Sequence, residues 1–203
     1  MITRERSLLI IISGPSGAGK SSLSSYFVDA HDSCRMSLSA TTRPPRGDEV
    51  DGREYRFLST EEFLARKEKG EFAEWAVVHG HHYGTPRRFL SECAERGESV
   101  VFDIDVQGSM QLRKGYPDAM FIFVLPPTRR ALRERLEGRN TDSTEVVETR
   151  TKNALEEVSY VRRFDYLIIN DNLDQAKADL EAIVRAERLK AGRADWQRFL
   201  ADE

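Results

Sequence analysis

Residues 14–21 read GPSGAGKS, which places two glycines, a lysine and a serine at the spacing Gly-x-x-x-x-Gly-Lys-Ser. Glycines let a main chain bend closely around phosphate oxygens. Successive backbone N–H groups and the N-terminus of a following helix then supply partial positive charge. Gly14, Pro15, Ser16, Gly17, Ala18, Gly19, Lys20, Ser21 and Ser22 are therefore the candidate cradle for a nucleoside triphosphate. Lys20 can reach the β- and γ-phosphates, and the Ser21 hydroxyl can ligate Mg²⁺. The motif needs a strand before it and a helix after it. The run SLLIIIS (7–13) and the stretch SSLSSYFVDA (21–30) predict both.

Further along, VVFDID ends in Asp103 and Asp105, whose spacing of two predicts carboxylates on one side of a strand end. Asp103 near the loop could hold Mg²⁺ through water. The segment TTRPPRGDEV (41–50) gathers Arg43 and Arg46 among prolines and a glycine, and Arg53 and Arg56 flank Tyr55. Guanidinium forks match phosphate oxygens bidentately and stay charged. This stretch is expected to receive a second, phosphate-bearing substrate. The cluster HGHH (79–82) lacks a nearby cysteine or carboxylate companion and is assigned no metal role.

Positioning these groups requires a scaffold. The buried-type apolar runs at 7–13, 99–105, 120–125 and 166–170 alternate with amphipathic helical stretches at 128–138, 146–161 and 173–190. That alternation predicts an α/β fold with a parallel, doubly wound sheet. Residues 36–96 break the rhythm with short alternating segments. There a helix is expected after the Ser59–Glu62 capping box and another from Thr85-Pro86. The expected division is a core of 1–35, 97–128 and 160–203, an inserted β-rich lobe of 36–96, and a lid of 129–159. Arg135 and Arg139 are spaced i, i+4 and are expected on one face of a lid helix. The loop 138–144, GRNTDST, would let that lid close and exclude water.

Bulk composition narrows the classes. With 34 acidic and 31 basic residues the formal net charge is −3, which argues against a general nucleic-acid binder. Cys34 and Cys93 are far apart and are read as reduced, structural thiols. No apolar run approaches the ~20 residues of a membrane span. The first apolar run leads into a glycine motif and not a cleavage site, so the expected compartment is the cytoplasm. No Asn-Lys-x-Asp segment of a GTP-hydrolysing switch occurs.

The ordered set GPSGAGKSS, TTRPPRGDEVDGREYRF, FAEWAVVHGHHYGT, FDIDVQG, RLEGR and YLIIND resembles the guanylate kinase family over nearly the whole chain. The resemblance implies a P-loop nucleoside-monophosphate-kinase-like parallel sheet core, an inserted GMP-binding lobe and a helical lid. It implies Mg²⁺-dependent phosphoryl transfer from ATP to GMP, and to dGMP. Arg43 and Arg46, with Tyr55 and Tyr83, would grip the acceptor phosphate. Ser39, Glu74 and Thr85 would read guanine, and Asp103 and Asp105 would lie near metal and acceptor. Arg135, Arg139 and Arg150 would close over the transferred group, with Lys20, Arg43 and Asp103 completing the catalytic set. A carboxylate at Glu74 can accept from both N1–H and N2–H₂ of guanine, where adenine would present a mispaired acceptor.

Three positions depart from the family's usual pattern: His82 in place of an aromatic residue, Gly47-Asp48 after Arg46, and Asn140 after Arg139. Two other readings compete. One is a non-enzymatic guanylate-kinase-like module that binds protein partners, against which the intact Lys20 and Ser21 weigh. The other is a P-loop kinase of a phosphorylated sugar, which Ser39 and Glu74 disfavour. The oligomeric state is not legible.

Overall fold

The computed structural model describes residues 7–78, 80–138 and 144–193. In chain order the elements are β1 (Leu9–Ser13), α1 (Lys20–Ala30), β2 (Cys34–Met36), β3 (Ala40–Thr41), β4 (Arg56–Phe57), α2 (Thr60–Glu68), β5 (Phe72–Val78) and β6 (His81–Pro86). There follow α3 (Arg87–Glu95), β7 (Ser99–Asp103), α4 (Val106–Gly115), β8 (Met120–Leu125), α5 (Arg129–Glu137), α6 (Thr144–Val158), β9 (Tyr166–Ile169) and α7 (Leu173–Arg188).

Five strands form a wholly parallel sheet in the order β2-β7-β1-β8-β9. β1 is central, with Ile10 opposite Val101 on one side and Met120 on the other. Its continuous apolar run is explained by burial on both faces. On one face Ile10, Ile12, Ile122 and Val124 pack against Leu23 and Phe27 of α1 and Leu180 and Val184 of α7. On the other, Ile11, Val100, Phe102 and Phe121 pack against Leu90 and Cys93 of α3 and Leu112 of α4. Cys34 and Cys93 are both buried and lie outside any disulfide among the described residues.

From β1 the chain crosses to the β2 edge, and from β8 it crosses to the β9 edge. The order therefore reverses between β1 and β8. In open parallel sheets the ligand crevice lies outside the carboxyl ends of the strands at such a point, and the glycine loop after β1 sits there. A Cβ on Gly14 would come within 2.2 Å of the Val124 carbonyl oxygen of β8.

The second sheet has four strands in the order β4-β3-β6-β5, with its own core of Ala40, Phe63 and Phe72. The Ser59 hydroxyl accepts from the Glu62 N–H, which caps α2 as its spacing predicts. The expected cap at Thr85 does not form. Thr85 and Pro86 belong to β6, α3 begins after Pro86, and the Thr85 hydroxyl donates to a buried carboxylate instead. The strand expected to run to Asp105 stops at Asp103, because Asp105 turns to cap α4. Neither β2 nor α4 is among the elements expected from the sequence. β2 is only three residues long, and the polar VQGSM hides the buried spacing of Val106, Ser109 and Leu112.

Candidate active site

The glycine loop runs from the buried end of β1 into α1. Gly14, Gly17 and Gly19 hold φ of 138°, 86° and 97°, values that side-chain-bearing residues avoid. α2, α4, α5 and α7 each begin on a side-chain cap, whereas α1 has none and carries no acid in its first turn. Its N-terminal N–H groups are left for an anion. Lys20 Nζ donates to the Gly14 carbonyl at 2.6 Å and to that of Pro15 at 3.2 Å, so the ammonium lies folded along the loop. The Ser21 hydroxyl donates to Asp103 Oδ2 at 2.5 Å. A hydroxyl and a carboxylate converging beside a phosphate cradle are hard oxygen donors of the kind that Mg²⁺ takes together with substrate oxygens.

A cleft of about 430 Å³ adjoins the loop, lined by residues that include Gly17, Gly19, Ser22, Arg135, Asn170 and Leu173. Asn170 was missed as a site residue by the sequence reading. It is buried at the end of β9, and its side-chain amide donates to the Ala18 carbonyl at 2.8 Å. Its own carbonyl accepts from Arg135 Nη2 at 2.8 Å. The signal was available in position alone, an amide at the carboxyl end of a parallel strand. α5 itself packs on the loop, since a Cβ on Gly17 would sit 3.3 Å from the methyl groups of Leu132 and Leu136.

Of the arginines expected in a lid, Arg135 lines the cleft, and Arg150 is half-buried on α6. α5 ends at Glu137; Arg139 and Asn140, with most of the loop that follows, lie outside the described residues. A further acid, Glu157 of α6, is half-buried. Burial raises its carboxyl pKa, and the charge of Lys20 opposes that rise. This places it within electrostatic reach of the loop.

The β-rich lobe collects the other set. Arg43 is buried, 6% exposed, at the end of β3. Its Nη1 and Nη2 donate to the two oxygens of Glu49, each at 2.9 Å, and Nη1 also donates to the Pro44 carbonyl at 2.8 Å. The Glu49 carboxylate is held below its ordinary pKa by Arg43 and by the Arg46 N–H, which donates to it at 2.8 Å. That pair leaves the Nε–H and the second Nη2–H on the other edge of the guanidinium, and the Tyr83 hydroxyl interacts with the same group. Arg43 also lies 5.3 Å from the Tyr55 ring centroid, and the Tyr55 and Tyr83 rings meet edge-on at 6.0 Å. Burial pushes the Tyr55 hydroxyl pKa up. Arg43, Tyr55 and Tyr83 are thus brought together. The Arg46 side chain is exposed; its N–H donates to Glu49 and its charge also acts on that carboxylate. Glu49 was not singled out from the sequence, although an acid inside an arginine-rich loop is itself a sign of internal pairing.

Glu74, Thr85 and Ser39 form one chain of contacts. The Thr85 hydroxyl donates to Glu74 Oε1 at 2.7 Å and lies 3.3 Å from the Ser39 hydroxyl. Glu74 is only 5% exposed, and burial pushes its carboxyl up to about 7, with the nearby Asp105 adding to the rise and Thr85 opposing it. A bulge between Phe72 and Glu74 in β5 sets Glu74 opposite Thr85. Asp105, expected to share a strand face with Asp103, instead accepts from the Gly108 N–H at 2.8 Å. His82 stacks on Phe63 with ring centroids 5.2 Å apart, and so does the packing an aromatic residue would do there.

Comparison with known proteins agrees with this layout. A family model described as guanylate kinase matches residues 6–187. A guanylate kinase of Caldanaerobacter subterraneus subsp. tengcongensis is 43% identical over 193 residues, covering 95% of this chain and 94% of that relative. One from Thermotoga maritima is 46% identical over 185 residues, covering 91% and 89%. The crystal structure of guanylate kinase from Anaplasma phagocytophilum superposes with a TM-score of 0.75 at 30% identity, over 97% of this chain and 94% of that one. A phosphate loop at the sheet's reversal point, a lobe that pairs a buried arginine with two tyrosines, and a match along most of the sequence have one explanation: the chain belongs to the guanylate kinase family.

Proposed function

We propose that the chain transfers the γ-phosphoryl group of ATP to GMP, and to dGMP, giving ADP and GDP in the cytoplasm. The observation that carries this reading is the buried Glu74 carboxylate, flanked by the hydroxyls of Thr85 and Ser39. A desolvated acceptor without a full set of donors favours a ligand edge rich in N–H groups, which guanine has and a sugar phosphate lacks. Residues 14–22 hold the triphosphate, with Lys20 against its outer phosphates. Ser21 and Asp103 would hold Mg²⁺, directly and through water, and the ion would neutralise charge on the transferring oxygens.

In the lobe, Glu49 fixes the Arg43 guanidinium so that its remaining edge can take the acceptor phosphate with Tyr55 and Tyr83, and Arg46 swings in from solvent. Arg135, Arg139 and Arg150 balance charge between donor and acceptor. Residues 36–96 act as the acceptor lobe, 129–159 as the lid, and the rest as core. No residue need form a covalent intermediate; alignment and fixed charge supply the rate. No described helix is long and apolar enough to cross a membrane.

The test is ADP release from ATP with GMP, AMP, ribose 5-phosphate or no acceptor. Turnover with GMP should exceed that with AMP by about 10⁴-fold, the scale for a site that leaves polar groups mispaired. Equal release without acceptor, or with ribose 5-phosphate, rejects the reading.

A further inference from the structure

Strand β5 is an edge strand of the lobe's sheet, so the peptide groups facing away from β6 have no neighbouring strand among the described residues. At one position this edge is closed by a side chain from the core. The Trp75 N–H donates to Gln111 Oε1 at 3.1 Å, and Gln111 Nε2 donates to the Trp75 carbonyl at 2.7 Å. The carboxamide of Gln111 thus does what a peptide unit of a further strand would do, satisfying donor and acceptor of one residue together. Trp75 directly follows Glu74.

Gln111 lies three residues after Gly108 on α4, and positions three apart share a helix face. That face meets Glu74 as well: a Cβ on Gly108 would lie 3.1 Å from Glu74 Oε2. α4 therefore touches the carboxylate through a bare glycine and holds the adjoining backbone through two hydrogen bonds. The same short stretch of chain begins at Asp103, which accepts from Ser21 of the phosphate loop, and continues through Asp105, which caps α4.

We infer that Gln111 is a positioning residue for base recognition: its carboxamide pins edge strand β5 to α4 and so sets where the Glu74 carboxylate stands against guanine. Resting on the proposed GMP kinase reading, this deepens it by naming the group that fixes the specificity-determining acid. A carboxylate that accepts two N–H bonds at once tolerates little displacement. One accepted bond tolerates more. Loss of the pin accordingly weakens a purine with both N1–H and N2–H₂ more than inosine monophosphate, which has N1–H alone.

The decisive measurement is kcat and KM of Gln111→Met for GMP, inosine monophosphate and ATP, beside the unsubstituted protein. Met keeps the length and approximate volume but can neither donate to the Trp75 carbonyl nor replace the acceptor. The expected result is a rise in KM for GMP of about tenfold, as befits two lost hydrogen bonds. For inosine monophosphate the rise should be smaller by several-fold, and KM for ATP should stay within about twofold. Gln111→Glu keeps an acceptor for the Trp75 N–H and should fall between the two. A preference for GMP over inosine monophosphate that is unchanged in both variants overturns the inference. So do losses equal for GMP, inosine monophosphate and ATP, which mean general loosening. Should the unsubstituted protein show no GMP-dependent ADP release, the functional reading itself falls and the inference with it. GMP turnover with unmoved preference removes the inference alone.

Discussion

The two regions proposed to hold the phosphate donor and the phosphate acceptor are built on opposite plans. The donor site is main chain: three glycines at positive φ, an uncapped helix start and a lysine folded along the loop. The acceptor site is side chain, with Arg43, Tyr55, Glu74, Tyr83 and Thr85 drawn from four strands and the turns beside them, and with its arginine already ion-paired to Glu49. Backbone sites depend on conformation, so one methyl group in the wrong place destroys them. Side-chain sites depend on charge state and fine position, so they weaken by degrees.

The sharpest way to break this contrast is at Gly14. Alanine there would have to hold φ of 138° and place its Cβ 2.2 Å from a backbone oxygen of the central sheet. Strain and overpacking together cost about 3 kcal/mol or more. Gly14→Ala should lower the unfolding midpoint in a thermal melt by several degrees and abolish detectable ATP binding by calorimetry. A variant that binds ATP normally would mean the loop's shape is not what holds the triphosphate.

A smaller, graded effect is expected from pH in the acceptor lobe. Glu74 titrates near 7 because it is buried. The proposed guanine recognition needs the carboxylate, so KM for GMP should be flat above pH 7 and rise about tenfold per unit below it. The stability sign runs the other way. A carboxyl raised from 4.5 to about 7 stabilises the ligand-free fold fully below 4.5, and that contribution, about 3 kcal/mol, is lost as pH rises through 7. Glu74→Gln should thus flatten the KM profile, after the titration of GMP's own phosphate is subtracted, while leaving the protein more resistant to heat at pH 8. Glu49 is the control within the same lobe. Its carboxylate is held below the ordinary range by Arg43, so Glu49→Gln should raise KM for GMP without altering its pH dependence between 6 and 8. Profiles that do not differ would refute the separation of roles.

The same contrast explains what could be read from the chain. The glycine loop is contiguous, its glycines are required by backbone geometry, and the β-branched apolar run before it has the composition of a strand buried on both faces. The strand, glycine turn and helix around residues 14–22 were therefore legible without any relative for comparison. The parallel sheet was legible for the same reason, except for β2, too short to show a period. The residues proposed for the acceptor were singled out mainly through resemblance. Nothing in the spacing of Ser39, Glu74 and Thr85 shows that three strands will bring them within hydrogen-bond reach. Local rules also failed where tertiary bonds claimed the same atoms: Thr85 looks like a helix cap but serves Glu74, and Asp105 looks like a strand-end carboxylate but caps α4. Gln111 carries no motif at all, and Glu49 was passed over inside its arginine-rich block, since each acts by closing a bond that exists only after folding.

The smallest expected effect is at His82, where the sequence departs from an aromatic pattern. The ring stacks on Phe63, which itself stacks on Phe72 at 4.4 Å, so the imidazole sits in a column of aromatic rings beneath the acceptor strands. Its Nδ1 is buried and has no hydrogen-bond partner among the described residues. Leaving a polar nitrogen dry costs about 1–3 kcal/mol, against which a slightly larger ring must be fitted. His82→Phe removes the dry nitrogen and keeps the stack, so the net gain should be about 1 kcal/mol. In a chain of this size that is a rise of roughly 2–4 °C in the melting midpoint. KM for GMP should stay within twofold, because the proposed phosphate and base contacts fall to Tyr83 and Thr85 and not to this ring. A large change in KM with no gain in stability would mean that the imidazole has a part in acceptor binding. In that case the lobe would rely on this ring as well as on the carboxylate of Glu74.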